Sequence, residues 1–299
     1  MAKKISLITA LWLGLVGART GAIAQHNPFV TMYFQNQYLA NPAWAGAQAG
    51  MKLNLAYQQQ ANSMNGALGM QALTGEHGFG NNVGVGLRVS NSKLGLFKQT
   101  QVGATYAYHL PLNEKSKLHF GLSLGVTKER VNNGDIVGAD LGDPSVNRFN
   151  DRGVTVDGDL GIAYTSGGFT LQAAAFNINE SILKSNSENL ADSKTLFAAI
   201  SYRFTLNYGE SGIGLEPKIA IRGFQGFEDI IDAGANVSFL EDKFHVFGLY
   251  HSTKNATLGA SVSLKSKFTI TGAYISPSSN LNSFSKGSFE GGLAFSLTQ

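Results

Sequence analysis

The sequence predicts an all-β chain: a transmembrane antiparallel β-barrel of about 14 strands, with an ordered N-terminal segment in or under its lumen. Three observations carry this. Apolar residues recur at every second position from residue 50 onward, a period that suits strands and would wrap around a helix. Charged residues make up only 14% of the chain, against about 25% in soluble domains, and 36 of its 299 residues are glycine. The connections between the alternating segments also sort by length, short on one side and long on the other.

At the start, Lys3 and Lys4 precede the apolar run ISLITALWLGLVGA, and Ala22-Ile23-Ala24 stands before Gln25. A short positive region, a brief apolar segment and an A-x-A site read as a secretory signal over residues 1–24, with the mature chain starting at Gln25. Removing Lys3, Lys4 and Arg19 leaves 20 basic against 20 acidic residues, so the formal +3 of the whole chain is no nucleic-acid footprint. The absence of cysteine excludes a lipid-anchored lipoprotein and a disulfide scaffold.

Residues 25–49, QHNPFVTMYFQNQYLANPAWAGAQA, form a unit of their own, with Asn-Pro at 27–28 and 41–42. Proline removes a ladder donor and holds the preceding residue extended, so this is no interior strand. Its aromatics, Phe29, Tyr33, Phe34, Tyr38 and Trp44, need burial, which places the segment in the barrel lumen or under the periplasmic rim. Asn41, Pro42, Trp44 and Gly46 are its structural motif. Pro42 fixes φ, Asn41 is extended, and Gly46 reaches backbone geometry closed to other residues. Together they predict a rigid bend that hands the segment into a strand at Met51, with Trp44 as the anchor.

The barrel is assigned to residues 50–299. Val83, Val85, Leu87 and Val89 alternate with Gly84, Gly86, Arg88 and Ser90; Leu118, Phe120, Leu122, Leu124 and Val126 oppose His119, Gly121, Ser123, Gly125 and Thr127. Such segments start near residues 51, 65, 82, 100, 117, 153, 168, 195, 213, 230, 243, 256, 267 and 288. Each has about the 9–11 residues that a tilted strand needs to cross a bilayer, and the even count suits a closed barrel. The last, GSFEGGLAFSLTQ, is two-faced: Phe289, Leu293, Phe295 and Leu297 against Glu290, Ala294 and Ser296. In a soluble sandwich that apolar face would turn to a core; in an outer-membrane barrel it turns to lipid. The loop lengths favour the barrel. TSGG (165–168), LEDK (240–243) and KSK (265–267) are tight periplasmic turns, whereas 128–152, 178–193 and 276–287 are the longer extracellular loops.

Chemistry-bearing motifs are absent. His26, His77, His109, His119, His245 and His251 are widely spaced, without metal-ligand companions, and there is no G-x-S-x-G, P-loop or H-E-x-x-H. GNNVGVG (80–86) begins a strand and does not link strand to helix, so it is no phosphate cradle. No catalysis, cofactor or metal is expected. On the polar faces, Arg88, Asp157, Asp159, Arg203, Glu216, Lys218, Arg222 and Asp232 point into the lumen with both signs, which predicts charge pairs. In the 128–152 loop, Asp135, Asp140, Asp143, Asn147 and Asp151 are the candidate partner-binding residues; their spacing is not that of a calcium loop.

The segment FVTMYFQNQYLANPAWAG (29–46) resembles the opening signature of the PorP/SprF family of type IX secretion-associated outer-membrane proteins. Asn41-Pro42-Ala43-Trp44-Ala45-Gly46 matches its Asn-Pro-Ala, aromatic, Ala-Gly element, with Trp where Tyr is usual; Asn36-Gln37 stands where Asn-Pro is common. Residues 91–112, SKLHFGLSLGV after them, and 244–276 also look like family segments. The resemblance implies a non-enzymatic barrel in the outer membrane of a Bacteroidota-type bacterium. Its partners would be outer-membrane lipids, the type IX or gliding machinery, and secreted surface proteins such as adhesins that carry a C-terminal sorting domain. The alternative is a solute-conducting porin or fatty-acid-type transporter.

Overall fold

The computed structural model describes residue 29 and residues 31–62, 68–131, 144–178, 195–206, 212–224, 228–265, 267–278 and 285–297. Its strands are β1 (Gly50–Asn62), β2 (Gly69–Gly78), β3 (Val83–Leu94), β4 (Phe97–Pro111), β5 (Ser116–Val131), β6 (Thr155–Ser166), β7 (Phe169–Phe176) and β8 (Thr195–Tyr202). They continue as β9 (Phe204–Leu206), β10 (Ile213–Phe224), β11 (Ile230–Phe239), β12 (Phe244–His251), β13 (Asn255–Leu264), β14 (Phe268–Ile275) and β15 (Ser285–Leu297). Both β8 and β9 pair with β10, so they are two parts of one strand broken at Arg203.

Every neighbouring pair is antiparallel, and β1 closes the sheet on β15 from Met51↔Leu297 to Asn62↔Ser285. The result is a closed 14-strand barrel. Closure satisfies each backbone N–H and C=O along the ladder, which hydrocarbon demands. The strand starts read from the sequence lie within four residues of the observed ones.

Two solvents explain the alternation. Leu55, Leu87, Leu122, Leu124, Leu160 and Leu258 lie outside, with Leu124 67% and Leu258 65% exposed. Such exposure is natural only against lipid. Facing inward are Asn54, Thr74, Thr105, His109, Ser123, Asp159 and Asp232, all buried. Tyr108, Tyr202, Phe268 and Phe295 ring one rim of the outer surface and Tyr57, Tyr250, Tyr274 and Phe289 the other, as aromatic girdles at the two interfaces do.

Connections 79–82, 112–115, 167–168, 240–243 and 265–267 are short and share one end, the turn side, with the start of β1 and the end of β15. The connections across 132–154, 177–194 and 276–284 share the other, the loop side. There β4 and β5 rise past β6: the β5–β6 ladder stops at Thr127↔Thr155, while β4–β5 runs on to Phe97↔Val131. A helix over Pro144–Asn150, which the alternation did not predict, covers this tip. Proline suits its first turn, where the missing N–H costs nothing. The Asn150 amide accepts from Val131 N at 2.7 Å and donates to Val131 O at 3.0 Å, standing in for the missing strand.

Candidate functional site

The described part of the N-terminal segment lies in the lumen and runs along it from the loop side to the turn side. Phe29 packs among Ala56, Leu68, Met70 and Ala72 near the loop-side ends of β1 and β2. A helical turn, Thr31–Phe34, and two 3₁₀ turns, Gln37–Leu39 and Pro42–Trp44, carry the chain to Gly50 at the turn-side rim.

The upper end is clamped by β10–β12. Tyr33 Oη donates to Asp232 Oδ2, and the Lys218 ammonium donates to the Tyr33 carbonyl. Asp232, fully buried, also accepts from Arg222 Nε at 2.7 Å and Nη2 at 3.0 Å, and meets His251 Nδ1 at 2.6 Å. His251 in turn reaches Thr257 Oγ1 at 2.9 Å. Burial pushes the Tyr33 phenol well above its ordinary value, so it stays a neutral O–H donor. Lys218 sits 4.6 Å over the Phe34 ring, which is tilted against Phe247 at 6.0 Å, and pairs with Glu216 at 3.2 Å. Each charge here has a counter-charge or an aromatic face, as buried charges require.

The middle is fixed by hydroxyls and amides. Asn36 Nδ2 donates to Thr74 Oγ1 at 3.0 Å, and Tyr38 Oη meets Thr105 Oγ1 at 2.6 Å, which itself meets Ser123 Oγ at 2.7 Å. Lys52 Nζ donates to the Gln35 carbonyl at 2.9 Å.

The lower end rests on a rung of small residues. Gly84, Ala107, Gly121, Gly161 and Ala174 are successive cross-strand partners on β3 to β7 and share the lumen face. A Cβ at Gly121 would collide with Pro42 and Ala43, one at Gly161 with Asn41 and Ala43, and one at Gly84 with Ala45 and Gly46. Strand glycines that admit a second backbone are a recognised use of the residue. Asn41, extended at φ −161°, turns the chain onto this floor: its Oδ1 accepts from Ala43 N at 2.9 Å. Its Nδ2 donates to Ile162 O at 3.1 Å and lies within 3.2 Å of both Gln172 Oε1 and Ala173 O, so one side chain ties the bend to β6 and β7. Gly46 takes φ +63°, the left-handed region, and its N–H donates to Glu76 Oε2 at 3.0 Å.

Trp44, half-buried, donates from Nε1 to Gln172 Oε1 at 2.7 Å and tilts against His119 at 5.1 Å. Asn41 is the deeper of the two, at 0% exposure. Truncation of a fully buried large aromatic costs about 3–5 kcal/mol, so a half-buried indole should cost less, about 2 kcal/mol. Trp44→Ala is therefore expected to make residues 29–46 more cleavable by protease from the turn side, with the barrel intact; unchanged cleavage would show that Trp44 anchors nothing.

Two further charge pairs form, and Asp157 turns to the backbone. Arg88 meets Asp159 at 2.7 Å and Arg203 meets Asp242, while Asp157 Oδ1 accepts from Gly158 N at 2.6 Å. His109 and His119 share an Nδ1···Nδ1 contact at 2.9 Å, and His109 Nε2 also meets the Ala45 carbonyl at 3.1 Å. Among the described residues, no three His, Cys, Asp or Glu side chains converge as metal ligands would. A cavity of about 350 Å³ lies between the segment and the turn-side rim, lined by Phe34, Tyr38, Trp44, Lys52, Glu76 and His119 among others.

Of the loop candidates, Asp135, Asp140 and Asp143 lie outside the described residues. Asn147, in the middle of the short helix, and Asp151, just past its end, are exposed, and Asp151 N donates to Asn147 O at 2.9 Å. Sequence reasoning missed Gln172, Glu76 and Thr105 as contacts of the segment, and the Tyr33 to Asp232 contact across the lumen. The glycines on polar strand faces were the available signal for the floor.

A closed barrel with a lipid-facing apolar belt and a polar, chain-filled lumen defines an outer-membrane β-barrel protein. The chain belongs to the PorP/SprF family, described as type IX secretion system membrane proteins, whose profile matches residues 22–295. Among solved structures it is similar to the toluene transporter TbuX of Ralstonia pickettii, at TM-score 0.51 and 12% identity over 88% of this chain and 93% of that one. It is also similar to the monoaromatic hydrocarbon channel CymD, at TM-score 0.48 and 13% identity over 97% of both chains. Omp33 of Acinetobacter baumannii is similar at TM-score 0.48 and 9% identity, over 84% of this chain and 100% of that one. At such identities the TbuX likeness establishes the barrel fold alone. Comparison with curated proteins found no match.

Proposed function

We propose that this chain, once a signal over residues 1–24 is removed, is a plugged, non-enzymatic barrel that docks secreted surface proteins and helps export them or hold them at the cell surface. Its partners are proteins with a C-terminal sorting domain, adhesins or gliding components among them, together with other parts of the type IX machinery. The family assignment supports the setting. The observation that supports the docking reading over an open channel is the lumen segment, which is bonded to opposite walls through Asp232 on β11 and through Thr74 on β2 and Thr105 on β4. A solute channel needs a continuous polar path, whereas a docking barrel needs a rigid scaffold beneath its loops. The loop carrying Asp135, Asp140, Asp143, Asn147 and Asp151 is the proposed contact for the secreted partner.

Pull-down of tagged barrel from outer membranes is expected to recover a secreted protein bearing a sorting domain, and the purified protein is expected to be silent in single-channel recordings. Steady conductance together with unimpaired export in a deletion strain would sink this reading and favour a porin.

A further inference from the structure

The cavity of about 350 Å³ beneath the lumen segment is a formed pocket that the docking reading does not use. The segment roofs it through Gln35 and Trp44, and the wall closes it through Lys52 on β1, Glu76 on β2 and Lys117 on β5. Gln48, Ala49 and Lys117 at its margin are exposed, so it opens at the turn-side rim. Short turns lie on the periplasmic side of an outer-membrane barrel, and the mouth of the pocket lies there with them. Above it the segment fills the lumen, laid on the rung of Gly121 and Gly161 and bonded at Tyr38 to Thr105. A ligand entering from the rim therefore meets a blind end.

Three features of the lining define what fits. The first is charge. Lys52 and Glu76 are direct cross-strand partners and offset one another, and Lys52 Nζ is further engaged with the Gln35 carbonyl at 2.9 Å. Lys117 is the cation left over: its cross-strand neighbours, Pro111 and Thr165, are uncharged, and no carboxylate pairs with it among the described residues. One added negative charge would balance the pocket. The second is an idle acceptor. Gln35 Oε1 is buried with no hydrogen-bond partner among the described residues, and the soft last torsion of a glutamine lets it turn to a ligand N–H. The third is an aromatic surface. Trp44 Nε1 is taken by Gln172, which leaves the indole ring, with Phe34, to face an apolar group.

We infer that this pocket receives the C-terminal end of a peptide chain presented from the periplasm. The terminal carboxylate goes to Lys117, a backbone N–H near it to Gln35, and an apolar last side chain to Trp44 and Phe34. Capture of a chain-terminal carboxylate is a recurring mode of peptide recognition. A simple anion would use only the first of the three features, and the middle of a chain would have to pass through the segment. The volume lies at the small end of ligand pockets, which run from about 300 to 1,000 Å³, and so suits the tip of a chain. The site lies at the opposite end of the barrel from the extracellular loops, so its failure would leave the docking reading as it stands.

The test uses the mature barrel, residues 25–299, in mild detergent. Trp44 is the one tryptophan in that span, so its fluorescence reports the pocket directly. The probe is N-acetyl-alanyl-alanyl-phenylalanine with a free carboxylate, compared with the same peptide as its C-terminal amide. The acid is expected to shift Trp44 emission saturably and the amide to bind about tenfold more weakly, as loss of a hydrogen bond between charged groups implies. Lys117→Gln, at an exposed position, is expected to weaken the acid about tenfold and leave the amide unchanged, the signature of a direct pairing. Equal affinity of wild type for acid and amide, or no emission change with either, would overturn the site and needs no variant to fold. Equal weakening of both peptides by Lys117→Gln would overturn the role of Lys117. Displacement of the peptide by an equal concentration of acetate would overturn the chain end as the ligand and leave a simple carboxylate site.

Discussion

Asp232→Ala is expected to destabilise the protein by about 3–5 kcal/mol, because it leaves a buried cation without its main counter-charge. Asp232 is fully buried and gathers Arg222 Nε and Nη2, His251 Nδ1 and the Tyr33 hydroxyl on one carboxylate. Arg222 itself is 2% exposed and cannot turn to water without opening the wall between β10 and β11. Asp232→Asn keeps an acceptor while losing the charge, and should fall between wild type and Asp232→Ala. Tyr33→Phe removes only one donor to a charged acceptor, about 1.5–3 kcal/mol, and should loosen the segment while leaving Arg222 paired. Urea unfolding of the barrel refolded in detergent orders the three variants; a midpoint for Asp232→Ala equal to wild type would show that the cluster adds no stability.

The order of these effects depends on contacts that sequence reasoning reached only in part. That Asp232 and Arg222 face the lumen was legible, since alternation assigns every second residue of β10 and β11 to one side. That they meet was the ordinary consequence of cross-strand neighbours in a sheet. The third member, Tyr33, lies 199 residues away in sequence, and no local pattern links the two. Its need for burial was legible; its wall was not.

The same division runs through the rest of the chain. Strand starts were readable because lipid and lumen impose opposite preferences on successive residues, and closure followed from the even count and from the two-faced strand at 285–297. The helix over Pro144–Asn150 was not readable, because it answers a local need, the open edge of β5 beyond Thr127↔Thr155, that exists only once the barrel is built. Within the N-terminal motif, side-chain size pointed to Trp44 as the anchor. The structure puts Asn41 deeper, because the bend lies on backbone and the small amide can enter between β6 and β7 where an indole cannot. The floor was legible only in part: alternation puts Gly84 and Gly121 on polar strand faces, but only their alignment with Gly161 on one rung reveals the space they leave.

That alignment sets the second large effect. Gly121→Leu is expected to expel the lumen segment while the barrel stays closed. The new side chain would occupy the place of the Pro42 and Ala43 backbone, which has no rotamer by which to give way. Either β5 or the segment must move. β5 is held by ladders on both sides, fifteen rungs to β4 and twelve to β6, whereas the bend is held to the wall chiefly by Asn41, Trp44 and Gly46. Overpacking a close contact costs about 1–3 kcal/mol, comparable with the net worth of the few hydrogen bonds that keep the bend seated, so the segment yields first. In strand terms leucine replaces glycine favourably, which further protects the barrel. The expected readouts are rapid cleavage within residues 29–49, retained heat-modifiable mobility of the barrel, and single-channel conductance where wild type is silent. Gly291→Leu is the control: it lies on the lipid face with open space around its Cβ position, and should change neither cleavage nor conductance. If Gly121→Leu stays silent and is cut no faster than wild type, the rung of small residues is not what seats the segment, and the contacts at Asp232, Thr74 and Thr105 must hold it.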